Sequence, residues 1–409
     1  MHVLIVTQYF WPEDFRINDL ALGLKERGHR VTVLTGKPNY PGGKYFPGYG
    51  FFSRVHEDYH GVTVKRVPLI SRGTSKGLRL VLNYFSFAFL ASLLAPWLCR
   101  EKYDAILVYQ LSPVTVALPA LLLRRLKHTP VMLWVQDLWP ESLSATGAIH
   151  SPRILERVDR LVRYIYERCD RILIQSRSFA DSIQSKGVPA DKLFYFPNSA
   201  ESIYRPITLP PDAPEHAKLP DGFRVMFAGN IGAAQDFETI LAAAEKLKAY
   251  PDIHWVILGD GRMRSWVDDQ VKDRGLSGQV HLLGRFPLET MPRFFALADI
   301  LLVTLRKEPI FAYTIPGKVQ SYLACARPVV AALDGEGERV IKEAEAGIAV
   351  PSGDVDALAS AVLRMYRLTP EARQAMGWHG RAYFERHFDR ERLLDQLIQW
   401  TAMLAPKRE

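Results

Sequence analysis

Short apolar runs alternate along the chain with longer stretches in which apolar residues recur every three or four positions. Val3–Thr7, Val31–Thr35, Ile106–Tyr109 and Val131–Val135 have the length and branched-residue content of buried strands. Ile17–Arg27, Val114–Leu126 and Arg153–Arg168 have helical periodicity, the first stopped by Gly28. Val55–Tyr59 and Val62–Leu69 read as a hairpin turning at His60-Gly61, and Arg171–Gln175 and Leu193–Phe196 as further strands. A Pro-rich piece from Arg205 to Pro220 lacks either period and reads as a linker. The alternation then restarts with strands at Arg224–Ala228, His254–Leu258, Val280–Leu283, Ile300–Thr304 and Val329–Ala332. This pattern predicts an α/β protein of two doubly wound domains, each a parallel sheet with helices on both faces, opposed across a cleft.

One segment departs from it. Leu80–Cys99 contains no charged residue and lies between Arg79 and Arg100. A membrane-crossing helix needs about 20 apolar residues, and Asn83, Ser86, Ser92 and Pro96 interrupt this one. Three readings are open: a helix packed in the first domain, a helix over 79–100 lying in a membrane interface, or a span. The basic neighbours Arg66, Arg72, Lys76, Arg79, Arg100, Lys102, Arg124, Arg125 and Lys127 suit contact with anionic lipid.

The bulk composition narrows the classes. With 409 residues, 48% of them hydrophobic and 23% charged, the chain is globular and long enough for two or three domains. A formal charge of +8 and a pI near 9.2 suit phosphorylated ligands, an anionic membrane surface or nucleic acid. No helix-turn-helix, zinc-finger or aromatic RNA-binding pattern accompanies the charge, so no nucleic-acid partner is expected. Cys99, Cys169 and Cys325 are odd in number and widely spaced, which predicts buried thiols in a reducing compartment. The chain opens directly in an apolar strand-like run, without a basic leader, so a cytoplasmic location is expected.

Candidate chemistry clusters in the second half. In Phe227-Ala228-Gly229-Asn230-Ile231-Gly232, glycines follow a strand and precede a helix, where backbone amides approach an anion and the helix dipole favours negative charge. Val256-Ile257-Leu258-Gly259-Asp260-Gly261 repeats the device one strand later. Ile315-Pro316-Gly317-Lys318 opens a short helix that leads into the strand at Pro328. Lys318 falls in its first turn, unfavourable for the dipole, which points to an anion nearby. Asp354-Val355-Asp356 has the spacing of a metal-binding pair, but it follows Ser352-Gly353 at a helix start and reads as a cap.

These segments, in this order, resemble family 4 of the retaining GT-B glycosyltransferases. Gln8–Glu13, Arg16–Ala21 and Arg27–Val31 resemble that family's amino-terminal strand, loop and helix. Gly36–Pro41 and Gln136–Ser142 resemble the subgroup that builds bacterial surface polysaccharides, including amino-deoxyhexose transferases of O-antigen assembly. The similarity runs over nearly the whole chain. It implies GT-B architecture with two Rossmann-like domains: an acceptor domain over 1–203, a nucleotide-sugar domain over 204–385, and a terminal helix in 386–409 packing back on the first domain. It also implies transfer of a sugar, expected to be an N-acetylated hexosamine or deoxyhexosamine, from a UDP donor with retention. The acceptor would be a polyprenyl-diphosphate-linked saccharide at the inner membrane face, with no metal or other cofactor.

The departures shape the site. Many family members carry two glutamates where this chain has Tyr313 and Ser321, and an Arg and a Lys where it has Asn230 and Gln235. The expected donor set is therefore Gly229, Asn230, Gly232, Gln235, Gly259, Asp260 and Gly261, with Lys318 and Arg285 supplying positive charge and Glu336 or Glu338 the ribose contact. Asp14-Phe15-Arg16 replaces the usual glycine-rich loop, so Arg16 is expected to reach the phosphates. Asp137 would bind a sugar hydroxyl or take the acceptor proton, with Lys318 as the other catalytic candidate, unless it caps a helix. Glu141 is a further acceptor-side candidate. Two rival readings remain, a nucleotide-sugar 2-epimerase with a similar two-domain shell and a non-catalytic, membrane-associated sugar-nucleotide-binding subunit.

Overall fold

A computed structural model of the chain describes residues 1–73, 77–145, 149 and 151–405; Lys76, counted among the basic neighbours above, lies outside the described residues. The chain divides into two compact units, Met1–Pro197 with the chain from Glu391 onward, and Asn198–Arg390.

The first unit holds strands β1 (His2–Val6), β2 (Arg30–Gly36), β3 (His56–Tyr59) and β4 (Val62–Val67). It continues with β5 (Ala105–Gln110), β6 (Val131–Val135), β7 (Arg171–Ile174) and β8 (Leu193–Tyr195). Their order in the sheet is β3-β4-β2-β1-β5-β6-β7-β8, parallel except for the hairpin strand β3. Its helices are α1 (Arg16–Glu26), α2 (Leu78–Leu98), α3 (Leu118–Lys127), α4 (Glu141–Ala145), α5 (Pro152–Arg168) and α6 (Phe179–Ser185). The helix predicted from Val114 starts as a 3-10 turn over Val114–Ala117 and becomes α-helical at Leu118. Successive residues of central strand β1 point to opposite faces, which gives the unit two cores. Leu4 and Val6 pack beneath Phe87 and Ala91 of α2, Ala120 and Leu123 of α3, and Val162 and Ile165 of α5. Val3 and Ile5 pack beneath Ile17, Leu20 and Leu24 of α1.

The second unit repeats the plan with β9 (Phe223–Ala228), β10 (Ile253–Leu258), β11 (Val280–Gly284), β12 (Ile300–Thr304), β13 (Val329–Ala332) and β14 (Gly347–Val350). The order is β11-β10-β9-β12-β13-β14, all parallel. Strand β14 has no counterpart in the expected set. It is four residues long, half-buried and opens on glycine, and it adds to the sheet edge through the register Val329↔Gly347. A Cβ on Gly347 would lie 1.9 Å from the Val329 carbonyl oxygen, so only glycine allows this approach.

The helices are α7 (Phe237–Lys246), α8 (Arg264–Asp273), α9 (Met291–Ala296), α10 (Pro309–Ala312), α11 (Gly317–Ala324), α12 (Glu336–Glu343), α13 (Val355–Arg367) and α14 (Pro370–His387). One face of the sheet packs on α11, α12 and α14, the other on α7, α8 and α13. Asp354 caps α13 by accepting the Ala357 N–H at 2.8 Å, as its sequence context predicts, and Asp356 pairs with Lys246 on the surface.

The chain returns to the first unit in α15 (Arg390–Leu404), whose Leu393, Leu394 and Leu397 complete the core under Val3 and Ile5. The Trp400 ring meets Phe194 and Phe196 at centroid distances of 5.1 and 5.9 Å, and Arg27 pairs with Glu391 and Asp395. All three cysteines are free and buried. Burial pushes the Cys99 thiol up to about 11 and those of Cys169 and Cys325 up to about 12.

Candidate active site

In the second unit, the carboxyl ends of β9 and β10 and the start of α11 converge with almost no space between backbones. A Cβ on Gly259 would stand 1.8 Å from the Gly229 carbonyl oxygen, and one on Gly261 2.2 Å from that of Ile231. Both turns therefore need glycine, and Gly229 and Gly259 also have φ values of 144° and 147°. The Gly229 N–H donates to the Leu258 carbonyl and the Ile231 N–H to that of Asp260, locking the two turns side by side. The loop after Gly232 is tied down at β12, where the Thr304 hydroxyl donates to the Gln235 carbonyl and the Arg306 N–H to that of Ala234.

Lys318 enters this cradle from the first turn of α11. Its stem lies against Gly229, where a Cβ would meet Cε at 2.6 Å. The ammonium sits 3.5 Å from the centre of the Phe227 ring and donates to the Gln235 side-chain oxygen. Among the described residues no carboxylate pairs with it. Burial therefore holds its pKa well below the ordinary lysine value. An ammonium stripped of water, with only a ring and an amide for company, is a strong site for an anion. Tyr322, one turn on, hydrogen-bonds to the Ala228 N–H at 3.0 Å and so fixes α11 to the end of β9.

The structure thus brings Gly229, Asn230, Gly232, Gln235, Gly259, Asp260, Gly261 and Lys318 together. Arg285 is exposed just past β11 at the sheet edge. Glu336 is buried and held by Arg339 at 2.7 Å, and Glu338 pairs with Lys342 on the surface. Ser321 donates to the Gly317 carbonyl within α11. Arg264, at the start of α8, was not singled out from sequence. Its guanidinium lies 3.3 Å from where a Cβ on Gly284 would stand, and the Gly284 carbonyl in turn accepts the Gly259 N–H. The run Gly261-Arg262-Met263-Arg264 carried that signal.

In the first unit, Asp137 follows β6 and is held by three donors, Ser112 at 2.6 Å, the Trp139 indole at 3.3 Å and Ser142. A carboxylate has about four acceptor positions, so roughly one is left for a ligand. Glu141 accepts from Ser182 and Lys186, both at 2.7 Å. Arg16 opens α1, and its charge acts on the Tyr109 phenol, which burial pushes above its ordinary pKa.

A second polar cluster, at the carboxyl ends of β1 and β2, escaped the sequence reading. Glu13 is buried and accepts the N–H groups of Asn39 and Tyr40, both at 2.7 Å, and of Phe10 at 3.3 Å. Burial outweighs those donors and raises its pKa to about 7. The Arg72 guanidinium lies over the rings of Tyr9, Tyr40 and Tyr84 and donates to the Tyr9 hydroxyl at 3.0 Å. Glu13 closes the stretch Gln8–Glu13, whose resemblance to the family's amino-terminal strand and loop implies no role for this carboxylate.

Residues 15–199 match the Glycosyl transferase 4-like domain, and residues 222–367 match Glycosyl transferases group 1. Over 416 aligned residues, 97% of this chain and 99% of the relative, the chain is 26% identical to WcaI of Escherichia coli (strain K12), a glycosyl transferase ascribed to colanic acid biosynthesis. Sucrose-phosphate synthase from Thermosynechococcus elongatus superposes with a TM-score of 0.72 at 18% identity, over 98% of both chains. Anabaena Alr3699/HepE in complex with UDP superposes with a TM-score of 0.70 at 15% identity, over 98% of this chain and 100% of that one. At such identities the solved structures speak for the fold. Two domain matches, which between them leave out chiefly the first strand, the linker and the last helices, sit on that shared fold and make the chain a glycosyltransferase of GT-B architecture.

Proposed function

We propose that the chain transfers a sugar from a UDP-linked donor to a polyprenyl-diphosphate-linked saccharide in surface polysaccharide biosynthesis, with retention of anomeric configuration. The observation that carries this reading is the Lys318 ammonium, buried beside the glycine turns Gly229 and Gly259–Gly261 and, among the described residues, without a carboxylate partner. A diphosphate at that point would supply the missing counter-charge, and its charge grows as the glycosidic bond breaks. A pre-placed cation stabilises the leaving group more than the bound donor, which is the condition for catalysis. The UDP complex of the Anabaena structure supports the nucleotide, and the colanic acid relative supports the pathway class. The resemblance to amino-deoxyhexose transferases favours an N-acetylated hexosamine or deoxyhexosamine as the sugar. Asp137, with about one acceptor position left, would hold an acceptor hydroxyl.

The reaction is tested with purified full-length chain, a panel of UDP-sugars and a polyprenyl-diphosphate-linked saccharide. UDP release that requires the acceptor, with a lengthened lipid-linked product by mass spectrometry, is the expected result. Donor converted to its C2 epimer in the absence of acceptor would instead identify an epimerase.

A further inference from the structure

Helix α2 distributes its side chains in reverse of the usual soluble helix. Its inward positions are Asn83, Phe87, Ala88, Ala91 and Ala95, small apart from one phenylalanine. Its outward stripe is Leu78, Leu82, Phe85, Phe89, Leu93 and Trp97, at spacings of three and four, with Phe85, Phe89 and Trp97 exposed by 61%, 68% and 58%. No acidic residue occurs in its 21 residues, and Arg79 is the sole charged one. A continuous exposed apolar face of this length marks an interaction surface.

The surroundings decide what covers it. Helices α2, α3 and α5 form one layer over the same sheet face. On α3, Leu126 is 55% exposed beside exposed Arg125. On α5, Arg153 and Arg157 are exposed and enter no ion pair among the described residues, while Arg160 and Arg168 have the carboxylates Glu156 and Glu167 nearby. Arg100 closes the other end of α2. Between α3 and α5 a cavity of about 710 Å3 is lined by Leu118, Leu122, Tyr164, Arg124, Arg125 and Arg168, with Arg124 already paired to Asp170. A second copy docked through a two-fold axis would set this basic margin against itself. An anionic bilayer neutralises it.

We infer that the outward face of α2, with its basic margin on α3 and α5, rests on an anionic phospholipid surface. Although α2 is long and apolar enough to cross a bilayer, both its ends are fastened to the unit. Near its start, Asn83 bonds to Gln8 at 2.8 Å and to the Ile70 carbonyl at 2.6 Å. At its end, Lys65 donates to the Leu98 carbonyl at 2.6 Å. Phe87, Ala91 and Ala95 are fully buried in the sheet core, so α2 lies in the interface with one face inserted.

The test is sedimentation of the full chain with vesicles of phosphatidylcholine plus phosphatidylglycerol, against vesicles of phosphatidylcholine alone. The unaltered protein should sediment with the anionic vesicles, less so as salt rises. The exposed-site variant Phe85→Ser/Phe89→Ser/Trp97→Ser should bind at least about tenfold more weakly at an unchanged unfolding temperature. Arg100→Glu/Arg125→Glu/Arg157→Glu should lose the preference for anionic vesicles and its salt dependence. A wild type that stays in the supernatant with both vesicles overturns the inference, as does a serine variant that sediments like the wild type. A wild-type dimer by light scattering that the serine variant converts to monomer would assign the face to a second copy. These readouts need neither donor nor acceptor, so they stand or fall independently of the proposed reaction.

Discussion

Helices α13 and α2 both lie on a parallel sheet, yet they treat their side chains in opposite ways. In α13, Leu358, Val362 and Met365 face the core while Asp356, Ser360, Arg364 and Arg367 face water. Each residue sits where its transfer free energy sends it, and core burial accounts for the whole helix. In α2 the alanines and a single phenylalanine, Phe87, face the core, while Phe85, Phe89 and Trp97 face out. Packing explains only half of that helix, so the rest answers to something outside the chain. The same contrast picks out two buried ionisable groups, Glu13 and Lys318, which sit against their solvation preference as the outward aromatics of α2 do.

The contrast can be broken or sharpened by substitution. The largest effect is expected at the one large inward residue of α2. Phe87→Ala should cost about 3–5 kcal/mol in denaturant unfolding. Next comes Glu13, whose carboxyl titrates at about 7 in the fold against 4.5 for the ordinary group. Between those two values the native state keeps a proton that the unfolded chain has lost. Stability therefore falls as pH rises through that window, by about 3 kcal/mol in all. Glu13→Gln should flatten that slope relative to the parent at each pH, while losing the Phe10 N–H bond, about 1 kcal/mol. His2, held at about 4 by burial, slopes the other way below 6.5 in both proteins and cancels from the comparison. An unchanged slope in the Gln variant would show that Glu13 is ionised in the fold at acid pH.

Lys318→Met should leave unfolding stability unchanged or raised, since it removes a desolvated ammonium. It should weaken UDP binding about tenfold or more, measured by calorimetry. In the parent, UDP affinity should fall as pH rises through the Lys318 pKa, because the diphosphate favours the protonated form. The Met variant should lose that dependence. Equal UDP affinity in the two proteins would remove Lys318 from the donor site. The smallest effect completes the comparison within α2: Phe89→Ser should change stability by less than about 0.5 kcal/mol. A cost near that of Phe87→Ala would mean that the outward stripe is packed after all.

Most of the framework was legible from hydrophobic pattern alone. Val131–Val135, Ile300–Thr304 and Val329–Ala332 are strands with the expected bounds, because parallel strands buried on both faces leave uninterrupted apolar runs. β14 was not legible, since Gly347–Val350 is a half-buried edge strand that opens on glycine and so leaves no run of large apolar residues, and it owes its place to that glycine, which fits against Val329. The glycine turns of the site were visible because positive φ and close backbone approach demand one residue type. The partners of charged residues were not. Nothing in spacing shows that Lys318 meets Gln235, or that Glu13 lies beneath the amides of Asn39 and Tyr40. Those are matters of loop geometry and of contacts between residues far apart in the chain.

The return of α15 has a consequence for synthesis. Leu393, Leu394 and Leu397 cover part of the sheet that carries Val3 and Ile5, yet the ribosome makes them only after the entire second unit. At about 5–20 residues per second, that delay is on the order of ten to forty seconds. Throughout it the nascent first unit carries an uncovered apolar patch that includes Phe194 and Phe196. Until α15 arrives, that patch is the surface at which an unfinished first unit would aggregate or need a chaperone's cover.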